Sequence, residues 1–183
     1  MPRIYLDHAA TTPVRPEVRE AMAPYLHESF GNPSSLHAEG RSARSALEDA
    51  RERVGACLGV PASTIHFVRG GTESDNLALL GRADRALQDD RRPLVAVSAL
   101  EHRAVLQAAE AVKHQGGEVL RLPVDRTGRI EEDVLDDCLD RGADVVSVMW
   151  VNNEVGIRLP VEEVAVRCRE AGVCFHTDAV QAV

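Results

Sequence analysis

The sequence predicts an α/β fold in which helices cover both faces of a doubly wound, mostly parallel sheet. Three patterns in the 183 residues support this prediction. From residue 64 onward, short apolar segments alternate with segments of helical period. The apolar segments are rich in Val and Leu without strict alternation, which indicates strands buried on both faces. Polar clusters also follow these strands directly, as expected where open parallel sheets bind ligands.

The first 35 residues are the least regular part of the chain, because five prolines interrupt them. A short helix is predicted over Val18–His27. A longer helix is predicted over Ser35–Leu58, where apolar residues recur at helical spacing and Ser34 or Ser35 could cap the start. Gly59-Val60-Pro61 ends it.

The remaining elements follow one another as strand and helix without a linker-like composition. We therefore expect an N-terminal arm over residues 1–15 and one large domain over residues 16–183. The predicted strands are Thr64–Val68, Leu94–Ser98, Glu118–Leu122, Asp144–Val151 and Val173–Thr177. The predicted helices are Glu73–Gln88, Arg103–His114, Glu131–Leu139 and Val161–Glu170.

Composition and charge exclude several classes of function. The net charge is −8 with no basic cluster, which argues against nucleic acid or an anionic membrane as the main partner. The longest apolar runs are too short to cross a bilayer, and the first residues do not resemble a signal peptide, so a cytoplasmic location is expected. The four cysteines form no CxxC pair and are interpreted as small apolar residues rather than a disulfide or metal framework.

The polar clusters after the strands supply the candidate site residues. Gly71 and Thr72 open a helix, where backbone amides, the helix dipole and a hydroxyl suit a phosphate; the alternative is a capping box of Thr72 with Asp75. His102 begins the next helix and could act as an acid or base, stack on a ligand, or be structural. Together with Glu101, His176 and Asp178 it could also be a metal ligand, but no recognised spacing supports this, and no metal is predicted.

The last strands end in a carboxylate and two amides. Asp178 follows an apolar strand, where it could keep a ligand's ring nitrogen protonated or simply cap a turn. Asn153 and Gln181 offer amide groups to ligand oxygens, although a turn explains the Asn152-Asn153 pair equally well. A phosphate cup, an imidazole, two amides and a carboxylate along one rim fit an aromatic anionic cofactor such as pyridoxal phosphate.

The whole set of motifs resembles the N-terminal half of a cysteine desulfurase of the NifS/IscS type. This family lies in the class V aminotransferase-like group of fold-type I pyridoxal-phosphate enzymes. The resemblance extends from Ile4 to Val183. Its motifs are Tyr5-Leu-Asp-His-Ala-Ala-Thr-Thr-Pro13, Gly31-Asn-Pro-Ser-Ser-Leu-His37, Gly71-Thr-Glu-Ser74, Glu101-His102, Val151-Asn-Asn-Glu154 and His176-Thr-Asp-Ala-Val-Gln181.

The resemblance implies a role for each candidate residue. Gly71 and Thr72 would hold the cofactor phosphate, and His102 would stack on the pyridine ring and assist proton transfer. Asp178 would pair with the ring nitrogen and Gln181 would reach the ring hydroxyl. Asn153 would bind the substrate carboxylate or the ring hydroxyl. Cysteine as substrate, alanine and an enzyme persulfide as products, a homodimer, and sulfur-acceptor or scaffold proteins as partners are also implied.

The sequence departs from the family pattern in three ways. Arg69-Gly70-Gly71 stands where the family usually has Ser-Gly-Ala, which adds a cation near the phosphate. The Schiff-base lysine of a Ser-x-His-Lys motif is absent: the only lysine, Lys113, lies within a predicted helix as a solvated charge, so a family-type covalent attachment is not possible. The nucleophilic cysteine of the family also has no counterpart.

We therefore expect the sheet to be incomplete at its C-terminal side and the chain to be a truncated or split enzyme, inactive alone. The alternative is a non-catalytic remnant or interaction module of the same family. Another class V enzyme, such as a selenocysteine lyase, is a further alternative.

Overall fold

A computed structural model describes residues 3–182. These residues divide into two compact units, one formed by residues 3–12 and 68–182 and the other by Pro13–Phe67. The predicted division into an arm over residues 1–15 and a large domain over residues 16–183 stays a prediction. Among the described residues, no helix combines the length and apolar character needed to cross a membrane.

The larger unit contains a four-stranded parallel sheet, which confirms the predicted fold class. The spatial order is β2-β1-β3-β4, with β1 in register from Leu94 opposite Glu118 to Ser98 opposite Leu122. The strands are β1 Leu94–Ser98, β2 Glu118–Leu122, β3 Val145–Ser147 and β4 Phe175–His176. The helices of this unit are α3 Gly71–Gln88, α4 Arg103–His114, α5 Glu132–Asp140 and α6 Val161–Glu170.

Apolar side chains cover both faces of the sheet, as the Val-rich strands predicted. Val95 and Val97 of β1 pack with Leu79 of α3 and Val105 of α4 in one buried cluster. The opposite face of the strands packs against α5 and α6 in a second cluster. The central residues of that second cluster are Leu94, Ala96, Leu122, Leu135, Cys138, Val146, Val164 and Cys168.

The prediction of a strand over Thr64–Val68 was wrong. Ala62–Thr64 forms a 3-10 turn, and Ile65 beyond it is extended (φ −87°, ψ 125°). Within residues 3–182, no neighbouring strand pairs with this segment. A β-rich sequence without a hydrogen-bonding partner stays an extended loop, because a strand is defined by its ladder.

Two other strands are shorter than predicted. Asp144–Val151 contains only the strand Val145–Ser147, although the amides of Val148 and Trp150 still donate to the carbonyls of His176 and Asp178, at 3.0 and 2.9 Å. Val173–Thr177 likewise contains only Phe175–His176. On its other side β3 pairs with β1 only from Val145 to Ser147, so the shared ladder is short.

The smaller unit consists of the 3-10 turn and two helices, α1 Pro16–His27 and α2 Ala38–Leu58. Both helices were predicted, but α2 begins at Ala38 rather than Ser35. Its N-cap is His37, whose ring accepts a hydrogen bond from the Gly40 amide at 3.3 Å, so neither Ser34 nor Ser35 caps it. Gly59 ends the helix in the left-handed conformation (φ 68°), as expected for a glycine C-cap.

Candidate functional site

All six candidate site residues line one cavity of about 200 Å³ in the larger unit. A cavity of roughly 150 Å³ holds a benzene-sized ring, so the volume suffices for a single aromatic ring. The residues come from the loops after β1, β3 and β4 and from the first turn of α3, because parallel strands present their carboxyl ends at one edge. They are Gly71, Thr72, His102, Asn153, Asp178 and Gln181, with Ala9, Ala10, Asp75, Met149, Val151 and Val180 beside them.

The first turn of α3 forms one side of the cavity. Gly70 is the N-cap with φ 157° and ψ 176°, and Glu73 accepts a hydrogen bond from the Arg69 amide at 2.7 Å. The capping-box interpretation of Thr72 with Asp75 was therefore wrong. The first amides of a helix have no intrahelical acceptor, so those of Gly71 and Thr72 are available to an anion.

Gly71 allows the start of α3 to lie close to Val180, which a residue with a side chain would prevent. A Cβ atom at this position would lie 2.8 Å from Cγ2 of Val180, which also lines the cavity. The backbone amides at the start of α3 are therefore not covered by a side chain at residue 71, as a phosphate site requires.

His102 caps α4 and is exposed, with its ring at the cavity. Its Nδ1 atom accepts a hydrogen bond from the Ala104 amide at 3.1 Å. The neutral ring therefore carries its proton on Nε2, which makes Nε2 a hydrogen-bond donor. The structural and functional interpretations of His102 are thus compatible, because one nitrogen caps the helix and the other stays free for a ligand.

Two buried carboxyl groups lie next to each other at the floor of the cavity. Asp178 is 7% exposed and accepts a hydrogen bond from the Val180 amide at 3.1 Å. Asp75 is 3% exposed, and its Oδ2 atom has no hydrogen-bond partner among the described residues. Burial, together with the charge of Asp178, raises the pKa of Asp75 to about 6, while His102 opposes the shift.

The two amide residues differ in their surroundings. The side chain of Gln181 donates to the Ala10 carbonyl at 3.2 Å, which ties the N-terminal segment to this edge of the cavity. Asn152, not Asn153, makes the predicted turn: its Oδ1 atom accepts from the amides of Glu154 and Val155, each at 2.9 Å. Asn153 is thereby left at the cavity wall.

The same carboxyl groups with His102 form a cluster whose ligand atoms lie within 4.8 Å of one another. It differs from the metal set considered above, since Asp75 replaces Glu101 and His176. The tautomer of His102 disfavours a metal here, because Nε2 carries the ring proton while Nδ1 is held by Ala104. A polar acceptor or an aromatic ring suits this side chain better.

Neither the single lysine nor any of the four cysteines lines the cavity. Lys113 is an exposed residue of α4 that pairs with Glu110 at 3.5 Å, as predicted for a solvated charge. Cys138 and Cys168 are free and buried, and burial raises the pKa of these thiols to about 12 and about 11. A thiol of such high pKa is a poor nucleophile.

Sequence reasoning missed three polar residues: Asp75, which lines the cavity, and Glu101 and His176, which do not. Asp75 was considered only as a helix cap, and Glu101 and His176 only as remote metal ligands. The available signal was the position of Glu101 beside His102 and of His176 near Asp178 in the chain. Only the fold places Asp75 of α3 next to these residues.

The chain is similar in sequence to known proteins over nearly its whole length. The family model described as aminotransferase class V matches residues 4–183. The cysteine desulfurase IscS of Dictyoglomus turgidum is 44% identical over 180 residues, which cover 98% of this chain and 45% of that protein. The IscS-like cysteine desulfurase of Mycobacterium tuberculosis is 47% identical over 184 residues, covering 98% of this chain and 46% of that protein.

Solved structures agree with the sequence comparison. A NifS-like protein superposes with a TM-score of 0.91 at 36% identity, covering 99% of this chain and 50% of that one. The chain spans about half the length of the relatives it matches. The resemblance stated above is confirmed by these matches, and the chain belongs to the aminotransferase class V family.

Proposed function

We propose that this chain binds pyridoxal phosphate in the cavity and forms the cofactor-binding half of a cysteine desulfurase. Membership in aminotransferase class V implies this cofactor. The observation that carries the proposal is the convergence of all six candidate residues on one cavity. Relatives named cysteine desulfurase, 44% and 47% identical, support the choice of reaction.

The residues present fit the cofactor. The open first turn of α3 at Gly71 and Thr72 suits the phosphate, since unpaired amides and the helix dipole favour an anion. The buried carboxylate of Asp178 suits a protonated ring nitrogen, because a desolvated negative charge needs a positive partner. Asn153 and Gln181 supply amide groups for the substrate carboxylate and the ring hydroxyl.

Bound pyridoxal phosphate supplies an electron sink for the carbanion of an amino acid. Asp178 sustains that chemistry by holding the positive charge on the ring nitrogen. His102 presents Nε2–H to the cavity. Its imidazole ring can stack on the cofactor ring, and its Nε2 atom can hold or move a proton. Met149 and Val151 line the same cavity and exclude water from one side.

In this proposal the 183 residues do not complete the reaction by themselves. The only lysine is exposed on α4, so the cofactor is held without a covalent bond by this chain. The buried thiols of Cys138 and Cys168 do not accept sulfur, because their pKa is raised far above neutrality. We therefore expect no desulfurase activity from this chain alone, which also agrees with a non-catalytic role within the same family.

The substrate L-cysteine, a homodimer and a sulfur-acceptor protein remain part of the proposal. The smaller unit supports an interface, because α2 leaves apolar residues such as Val54 and Leu58 exposed, at 37% and 56%. Exposed apolar surface of this kind marks interaction sites in soluble proteins.

The proposal is tested by titrating the purified chain with pyridoxal phosphate in a calorimeter. The Asp178→Asn variant should bind at least about tenfold more weakly, or ~1.4 kcal/mol, because an amide does not stabilise a protonated ring nitrogen. Thr72→Val should weaken binding by a similar factor through the lost hydroxyl. Asp140→Asn, the same change at an exposed position of α5, serves as the matched control.

Unchanged affinity in Asp178→Asn, or no binding by the parent chain, would contradict the cofactor site. Alanine released from cysteine by the parent chain, above a control without protein, would contradict its expected inactivity.

A further inference from the structure

Two buried carboxyl groups lie close together at the floor of the cavity, those of Asp75 and Asp178. Asp75 is 3% exposed and Asp178 is 7% exposed, and both residues line the cavity. One oxygen atom of each carboxyl group and one ring nitrogen of His102 lie within 4.8 Å of one another. Two buried negative charges are costly unless a positive charge lies beside them, so this pair calls for a physical explanation.

Asp75 is the less well satisfied of the two carboxyl groups. Asp178 accepts a hydrogen bond from the Val180 amide at 3.1 Å. The Oδ2 atom of Asp75 is buried and has no hydrogen-bond partner within residues 3–182. Its Oδ1 atom lies 3.7 Å from Nε2 of His176, which is too far for a hydrogen bond. Asp75 therefore has unused capacity to interact with a positive charge in the cavity.

His176 does not neutralise this carboxyl group. The Ser147 hydroxyl lies 2.9 Å from Nδ1 of His176 and fixes the ring beneath the cavity. Burial lowers the pKa of His176, although the charge of Asp178 opposes the shift, so the ring carries no charge at neutral pH. Within the part of the chain that the structure describes, no lysine or arginine pairs with Asp75 or Asp178.

Glu101 is a further buried acid behind Ser147. Its Oε2 atom lies 3.4 Å from the Ser147 hydroxyl. Its Oε1 atom accepts hydrogen bonds from the Ser98 hydroxyl at 2.7 Å and the Met149 amide at 2.6 Å. Glu101 supplies no positive charge either, so the compensating cation for the two aspartates has to come from a ligand.

A protonated ring nitrogen meets this requirement. The step rests on the proposed function, in which Asp178 pairs with the ring nitrogen of pyridoxal phosphate. Because the two carboxyl groups lie within 4.8 Å, a cation paired with Asp178 also acts on Asp75. An opposite charge at such a distance favours the ionised form of a carboxyl group.

We propose that Asp75 is a positioning residue that adds a second negative charge behind Asp178 and thereby favours binding of the ring in its protonated form. In weakly acidic solution Asp75 holds a proton, which it releases to the solvent when the ring binds. The O–H bond of the carboxyl group breaks, and the proton leaves for bulk water. Because the number of protons on the protein changes, pH acts directly on this equilibrium.

The pKa of Asp75 agrees with this arrangement. Burial and, after it, the charge of Asp178 raise the pKa of Asp75 to about 6, while His102 opposes the shift. Without a bound cation, Asp75 is therefore protonated in weakly acidic solution and ionised above neutral pH. A bound cation lowers this pKa, so the contribution of Asp75 to affinity is small at low pH and complete above the pKa of the ligand-free chain.

The test compares the parent chain with Asp75→Asn by the dissociation constant of pyridoxal phosphate. At about pH 7.5 the variant should bind about tenfold more weakly, which corresponds to a shift of one pKa unit. At about pH 5 the two proteins should agree within about twofold, because Asp75 is then protonated in the parent chain. The titrations of Glu101, His102 and the ligand are common to both proteins and cancel in the ratio.

A second ligand tests whether the ring nitrogen is the group that responds. In the deaza analogue of pyridoxal phosphate a C–H group replaces the ring nitrogen, so this position cannot be protonated. Asp75→Asn should bind the analogue no more weakly than the parent chain does. Asp84→Asn, the same change at an exposed position of α3, is the matched control, and its affinity for both ligands should equal that of the parent chain at every pH.

The coupling of the two carboxyl groups is measured without any ligand. Carbon NMR of the aspartate carboxyl groups follows the titration of Asp75 in the parent chain and in Asp178→Asn. Removal of the like charge should lower the pKa of Asp75 in the variant. An Asp75 titration that does not respond to Asp178→Asn would overturn the proposal.

The binding experiments separate this inference from the proposed function. If the parent chain binds pyridoxal phosphate and Asp75→Asn binds it equally well, the role of Asp75 is overturned and the cofactor site stands. A loss of affinity that is independent of pH, or equally large for the deaza analogue, indicates structural support alone and also overturns it. A parent chain that binds neither compound contradicts the proposed function, and the role of Asp75 falls with it.

Discussion

Glu101 and Asp75 illustrate how burial of a single carboxyl group changes the dependence of stability on pH. Both have a raised pKa in the folded chain, about 7 for Glu101 against an ordinary 4.5, and about 6 for Asp75 against 3.8. The folded chain therefore keeps protons that the unfolded chain has already released. The free energy of unfolding falls as pH rises through this window.

The first prediction concerns Glu101→Gln, which removes the contribution of this group. Relative to the parent chain, the variant should gain stability as pH rises from about 4.5 to about 7, by at most a few kcal/mol, since one pKa unit corresponds to ~1.4 kcal/mol. His176 acts in the opposite direction below pH 6.5, because its pKa is lowered, but it is present in both proteins. Urea denaturation at pH 5 and pH 8 measures the difference.

Glu163→Gln is the control, since Glu163 is an exposed residue of α6. It removes the same carboxyl group from an exposed position. Equal behaviour of the two variants would show that Glu101 does not bind its proton more tightly in the folded chain.

At the scale of the elements, two glycines differ in how much space surrounds them, so replacing each with alanine should affect stability differently. Gly81 lies on the exposed side of α3, and a Cβ atom there would meet nothing within 4 Å. Gly117 is buried just before β2, and a Cβ atom would lie 2.9 Å from the Val112 carbonyl oxygen and 3.1 Å from that of Pro93. Displacing these backbone oxygen atoms would cost free energy, because they belong to the packed main chain.

Gly81→Ala should therefore stabilise the chain by about 0.5–1 kcal/mol, the helix-propensity difference between glycine and alanine. Gly117→Ala should destabilise it by about 1–3 kcal/mol through overpacking. Thermal unfolding monitored by circular dichroism compares both with the parent chain. A neutral Gly117→Ala variant would mean that the turn between α4 and β2 adjusts at no cost.

The helices and strands were predicted well where local pattern and tertiary pairing agree. β1, α4, β2 and α6 have the predicted bounds, because each has either a complete ladder partner or an amphipathic face on the core. The predicted strand Thr64–Val68 failed for the opposite reason, since the described residues offer it no partner. Strand propensity indicates fitness for a sheet and does not supply the neighbouring strand.

For the molecule as a whole, the buried cluster between the sheet and the helices α3 and α4 supplies stability to the larger unit. Leu79 is fully buried in it, whereas Leu77 on the same helix is 60% exposed. Removing the same atoms at these two positions thus separates core packing from helix propensity.

Leu79→Ala should lower the free energy of unfolding by about 2–5 kcal/mol, because it removes apolar contact and leaves a cavity. Leu77→Ala should change it by no more than about 0.5 kcal/mol. Urea denaturation gives both values. Similar effects for the two variants would indicate that the face of α3 at Leu77 is covered in solution.

The fold class, most elements and the six candidate site residues could be predicted from the sequence, because polar clusters follow apolar segments where the strands of a parallel sheet end. The family resemblance could likewise be read from the motifs alone. Only the tertiary structure brought Asp75 next to Asp178, and joined Glu101 to His176 through Ser147. These contacts join four separate elements, and their protonation depends on burial and distance, which local sequence pattern does not encode. The single lysine belongs to both levels: its number is a fact of the sequence, and its exposed position on α4 is a fact of the fold.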